Sequence, residues 1–250
     1  AKAAGRKTVC ASRFRGVALS TLQYAGDYDE RWVTPVQNPD AGVRGDRTWV
    51  QLVIPYSRSF RLYRCPEDPH GPDVDVSFSP GLVSAEVDAR FYDASQRVET
   101  GFNFQNLSPV VRDGSRWTPA PRLLGEAGPE TLLLVESAWH VDADGRPSGG
   151  GSALVEPPCR YARAAFGGTR DVFDAGRAEL FTLSRGWDGA LVDGMPYGGA
   201  YGWHDGRAMA AMADGHVRSL RIPELAVGCD AKSDWTGLIT DPGTYLWERS

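Results

Sequence analysis

Cys10, Phe14, Val17, Ala18, Thr21, Leu22 and Ala25 recur at steps of three and four residues. Such steps lay apolar and small side chains along one side of an α-helix. The spacing predicts a long helix from Ala1 to about Tyr28, weakened but not ended by Gly5 and Gly16. Asp27, Asp29 and Glu30 close the segment, and beyond Trp32 and Pro35 the chain turns extended.

Shorter patterns follow. Thr48 to Ile54 is apolar up to Pro55 and fits a strand or a short helix; Phe60 to Pro66 alternates. Val74–Phe78 and Thr100–Phe104 read as short strands, and Thr131 to Glu136 as a buried strand. Val141 to Ser152 is rich in Asp, Gly and Ser and reads as an exposed loop. Ala208–Ala213 and His216–Leu220 flank Asp214-Gly215, which predicts a hairpin closed by a type I′ turn. One helix followed by many short strands is an α+β pattern, with the helical stripe laid on an antiparallel sheet.

Composition narrows the function classes. The 27 basic and 32 acidic residues give a net charge of −5, which supplies no basic field for nucleic acid. Gly (29) and Pro (17) suit turns and short strands better than a helical bundle. Lys2, Arg6, Lys7, Arg13 and Arg15 crowd the start of the first helix and the acids its end, opposite to what a helix dipole favours, and Ala1-Lys2-Ala3-Ala4 offers no cap. A native helix beginning further upstream, with the basic cluster in its middle, accounts for both.

Candidate chemistry is sparse. His204, Asp205, Asp214 and His216 form the densest set of ligand types, read either as a metal or acid–base site or as a turn with His204 fastening the preceding loop. Asp142 and Asp144 begin a loop with part of a calcium pattern, but its twelfth position is Ala153 where a bidentate Glu is needed. Trp187, Tyr197, Tyr201 and Trp203 flank glycines and could stack on sugars. Cys10, Cys65, Cys159 and Cys229 make no C-x-x-C pair and are either disulfides or buried thiols. Neither Ser137 nor Ser184 lies in a nucleophile motif, and no phosphate-binding glycine pattern follows a convincing strand. No enzymatic activity is expected.

Several blocks resemble a known family when taken in order. Ala1 to Leu19, with its Arg-rich lead into Cys10, is similar to the segment that follows the membrane helix of prepilin-like proteins, and Tyr24 to Arg31 is similar to its continuation. Tyr63-Arg64-Cys65-Pro66-Glu67-Asp68 resembles the family's Cys-Pro block. His204, nine residues and Asp214-Gly215 match the signature of the prepilin-type processing-associated H-X9-DG domain. Thr131–Ser137 and Asp241–Trp247 stand where the family has similar blocks, whereas Arg13-Phe14-Arg15-Gly16 departs from its pattern.

The resemblance implies a pilin-like α+β fold: residues 1–30 as a truncated stem helix, continuous with a β-rich head over 31–250. It implies an exported, non-catalytic subunit at the cell surface or in the periplasm, joining copies of itself or other pilin-like subunits. Contact with a membrane would run through a segment outside this chain. Phe14, Val17, Thr21 and Leu22 would be shared between the sheet and neighbouring subunits. Because Cys10 and Cys65 fall in family blocks and Cys159 and Cys229 do not, it pairs Cys10 with Cys65 and Cys159 with Cys229. No cofactor is implied beyond calcium at Asp142 and Asp144, as in some pseudopilins. The alternative is a surface module that binds carbohydrate through Trp187, Tyr197, Tyr201 and Trp203 without polymerising.

Overall fold

The computed structural model describes residues 2–38, 47–68, 89–142, 144–164, 166–172, 179–183, 187, 197–232 and 237–248. In chain order, α1 (Lys2–Asp27), α2 (Trp49–Ser57) and α3 (Ala89–Gln96) precede β1 (Thr100–Asn103) and the single turn α4 (Phe104–Leu107). Next come β2 (Val110–Asp113), β3 (Arg116–Pro119), β4 (Leu132–Glu136), β5 (His140–Val141), β6 (Pro147–Ser148) and β7 (Leu154–Val155). The remainder is β8 (Tyr161–Arg163), β9 (Thr169–Asp171), β10 (Glu179–Leu180), β11 (Arg207–Met212), β12 (Val217–Arg221), β13 (Cys229–Asp230) and β14 (Leu238–Ile239). The α+β class therefore stands. The strand expected at 74–78 lies outside the described residues.

A five-stranded sheet in the order β12-β11-β4-β1-β7 forms the centre, antiparallel except where β7 joins β1. Alternation along β11 serves both faces, since successive side chains of a strand point to opposite sides. Met209, Ala211 and Ala213 join the core beneath α1, while Ala208, Ala210 and Met212 join a second core on the other face. The small alanines let the helix approach the sheet closely. Phe102 and the α2 residues Trp49, Val50, Val53 and Ile54 complete the first core; Trp187, Tyr245 and Trp247 anchor the second.

The segment left open between strand and helix is α2. Thr48 caps it reciprocally with Gln51, and Thr48 Oγ1 donates to Ser95 Oγ at 2.8 Å. Phe60 to Tyr63 is a 3-10 turn that buries Phe60 and Tyr63 three residues apart, in place of an alternating extended segment.

The predicted α1 is present, and the structure assigns its stripe. Phe14 (2% exposed), Val17 (0%) and Thr21 (0%) lie wholly inside the head, and Leu22 packs against the same core. Phe14, Val17 and Thr21 therefore belong to the head's own core, with Leu22 half-buried beside it. Residues 2–9 carry no buried side chain, and Val9 (43%) and Leu19 (44%) are exposed. Among the described residues, no helix is long and apolar enough to cross a membrane.

The Asp-Gly steps at 205–206 and 214–215 both build turns, but of different kinds. At 204–207, His204 and Arg207 exchange both backbone hydrogen bonds at 3.0 Å, and Asp205 (φ 54) and Gly206 (φ 73) both have positive φ, as a type I′ turn demands. At the β11–β12 hairpin only Gly215 does (φ 87); its N–H donates to the Met212 carbonyl, and the Met212 N–H donates to the His216 carbonyl across residues 213–215. That is a turn followed by a glycine bulge, not the type I′ turn predicted at Asp214-Gly215.

Candidate functional site

The predicted ligand set does not assemble as written. Asp214 and His216 stay at the hairpin, where Asp214 Oδ1 accepts from the His216 N–H at 2.9 Å and lies 2.6 Å from its Nδ1. These contacts hold the Asp214 carboxyl below its usual range, the backbone N–H contributing most. Asp205 is exposed at its turn, and His204 alone points inward.

His204 meets Cys10, Cys65 and Glu136 in a buried cluster whose four ligand atoms lie within 4.8 Å of one another. Cys10 Sγ and Cys65 Sγ are 3.1 Å apart, His204 Nε2 is 3.8 Å from Cys65 Sγ, and His204 Nε2 is 3.1 Å from Glu136 Oε1. Four elements supply the residues: α1, the loop after the 3-10 turn, the end of β4 and the turn before β11.

Local sequence explains each placement. Arg6, Cys10 and Arg13 share one side of α1 through steps of four and three. Arg6 pairs with Glu67, Cys10 touches Cys65, and Arg13 Nη1 donates to the Arg64 carbonyl at 2.8 Å. The basic residues thus grip the segment that carries Cys65. Glu136 follows Leu134 by two residues and so points to the α1 face of β4. Its Oε2 accepts from the Met209 N–H at 2.8 Å, leaving Oε1 toward His204. The Cys65 N–H donates to Glu99 Oε2 at 2.9 Å. Gly202 is required beside the His204 turn, because a Cβ there would stand 2.5 Å from the Gly206 carbonyl carbon.

The electrostatics follow from burial. Burial alone would pull the His204 pKa down, but hydrogen bonds to Cys65 and Glu136, with the charge of Glu136, raise it to about 10. The contact with Cys10, then burial, push the Cys65 thiol well up. A thiol of this kind, 3% exposed, is a poor nucleophile at neutral pH despite the neighbouring histidine. What the cluster can do is hold a cation or cross-link its sulfurs.

Of the other predicted sites, Cys159 and Cys229 form a disulfide, while Cys10 and Cys65 are free thiols in contact rather than the expected second bond. Their segments are held beside Glu136 and His204 as one four-residue group. Asp142 Oδ1 accepts from the N–H groups of Asp144 (3.0 Å) and Arg146 (2.8 Å), and Asp144 pairs with Arg146 at 3.4 Å. That loop is stabilised by its own carboxylates. The four aromatic residues stand in two pairs, Trp187 with Tyr197 (ring centroids 6.0 Å apart) and Tyr201 with Trp203 (5.0 Å). Trp187 is buried edge-on against Trp247, with Nε1 donating to the Glu156 carbonyl, and Trp203 Nε1 donates to the Ser137 carbonyl. Sequence reasoning passed over Glu136, which ends an apolar run and looked like its boundary. The two-residue step from Leu134 was the available signal.

No protein-family model matches the chain, and neither the curated proteins nor the solved structures compared with it contain a match.

Proposed function

We propose that this chain is a non-catalytic, exported pilin-like subunit that assembles through α1 with copies of itself or with other pilin-like subunits. One observation carries the reading. A 26-residue helix, about 39 Å long at 1.5 Å per residue, buries one side in the head from Cys10 to Ala25, whereas residues 2–9 carry no buried side chain. A helix that runs two turns past its own core offers a surface for another subunit. The ordered resemblance to prepilin-like proteins supports the same assignment, and the net charge of −5 supports a role apart from nucleic acid. Trp187 is buried, so a glycan platform would have to rest on Tyr197, Tyr201 and Trp203.

The test is a photo-cross-linking residue at Val9 in the protein expressed from its complete gene in its own host. The expected result is covalent adducts to the same or similar subunits, in fractions that contain filaments by electron microscopy. Val9→Glu should abolish the adducts while changing stability by no more than about 0.5 kcal/mol, since the position is exposed. A protein that stays monomeric and gives no adducts refutes the proposal.

A further inference from the structure

We infer that Cys10, Cys65, Glu136 and His204 form a four-coordinate site for a zinc-class transition metal, which joins α1 to the head. The donor set is two sulfurs, one imidazole nitrogen and one carboxylate oxygen, a mixture that tetrahedral zinc accepts and hard cations such as calcium do not. Around a tetrahedral zinc with ordinary bond lengths, neighbouring ligand atoms stand about 3.3–3.8 Å apart. The His204–Cys65 and His204–Glu136 separations of 3.8 and 3.1 Å sit within about 0.3 Å of those edges, while the two sulfurs, 3.1 Å apart, would move apart by about 0.7 Å to bind one ion.

Burial sharpens the argument. The residues are 1%, 3%, 0% and 6% exposed in sequence order. Burying a carboxylate and an imidazole beside two thiols is costly unless the charges are compensated. His204 and Glu136 compensate each other at 3.1 Å, and a bound dication would engage both together with the two sulfurs. The surroundings also match a metal site in its outer contacts. The Met209 N–H holds Glu136 Oε2, the Cys65 N–H is fixed by Glu99, and the paired backbone bonds to Arg207 lock the His204 turn. The inference does not depend on the assembly proposed for α1.

The experiment takes the full chain, purified without chelator or reductant so that Cys159–Cys229 stays closed, and measures metal by elemental analysis. The expected content is one zinc per chain, and replacement by cobalt should give thiolate-to-cobalt charge-transfer bands. His204→Ala and Cys65→Ser should weaken cobalt binding by about 100-fold or more, at least the range found for losing an outer-sphere contact. Asp142→Ala should leave it unchanged. X-ray absorption on the wild-type zinc form should find two sulfur and two nitrogen or oxygen neighbours, a readout that survives if the variants fail to fold. A Cys10–Cys65 disulfide in the purified protein overturns the assignment. So do two titratable thiols in a chain that takes up neither zinc nor cobalt.

Discussion

Asp214→Gly and Asp205→Gly make the same chemical change at two Asp-Gly turns, and the structure gives them different outcomes. Asp214 has ordinary negative φ and its Oδ1 accepts from the His216 N–H at 2.9 Å. Glycine there loses a hydrogen bond worth about 0.5–1.5 kcal/mol and adds about 0.5–1 kcal/mol of backbone entropy cost. The expected destabilisation is about 1–2.5 kcal/mol. Asp205 already sits at φ 54, where glycine relieves strain that offsets the same entropy cost, so the change should fall within about 0.5 kcal/mol of zero. Urea unfolding followed by tryptophan fluorescence, at neutral pH with chelator present, measures both. Asp214→Asn keeps the acceptor and should recover most of the loss. Acid supplies a second check. The folded Asp214 carboxyl lies below its ordinary 3.8, so its contribution is present above that value and disappears as pH falls through the lowered one. The gap between wild type and Asp214→Gly should narrow in that window. A stabilising Asp214→Gly would mean that Asp214 needs positive φ, and would refute the turn described above.

Gly151→Ala tests a close backbone approach: a Cβ would stand 2.1 Å from the Val98 carbonyl oxygen and 2.3 Å from Glu99 Cα, so a loss above about 3 kcal/mol is expected from thermal unfolding. A melt within 2 °C of wild type would refute that contact. Replacing Cys159 and Cys229 together by Ser opens a link across 70 residues, for which loop-closure entropy gives about 4 kcal/mol; equilibrium unfolding of the double variant measures it, and an unchanged midpoint would show that the link contributes nothing.

The sequence and the fold agree where local physics decides. The three- and four-residue steps of α1, the apolar run of β4 and the strands of the β11–β12 hairpin were each legible from side-chain periodicity. The helical state of α2 was also available, because Thr48-x-x-Gln51 before an apolar run is a capping box. The turn type was not, since Asp-Gly suits both the two-residue turn at 205–206 and the bulged turn at 214–215. Strand register decides between them, and it depends on pairing with β4. The basic residues of α1 illustrate the same limit. From sequence, Arg6 and Arg13 were an electrostatic misfit, whereas the fold gives them Glu67 and the Arg64 carbonyl. Cys10, Cys65, Glu136 and His204 are separated by 55, 71 and 68 positions, and only the packing of α1 on the sheet brings them together.

The position of that cluster along α1 links the two proposals. Cys10 is the first buried residue of the helix; ahead of it the exposed Arg6 pairs with Glu67 of the head. If neighbouring subunits hold residues 2–9, tension on the assembly peels α1 from this end, and behind the exposed Arg6–Glu67 pair the first buried contact to carry load is at Cys10. Hydrophobic burial of one small side chain supplies only about 1–2 kcal/mol there. Coordination by two thiolates, an imidazole and a carboxylate supplies far more, as the roughly 10–16 kcal/mol of zinc-bound finger peptides indicates. Its other ligands distribute the load to β4 and to the turn leading into β11, the middle of the central sheet. A metal at this point would fasten the helix at the first buried contact behind the segment proposed to assemble. Removing the metal should weaken the seam between α1 and the head while leaving the Cys159–Cys229 side of the sheet intact.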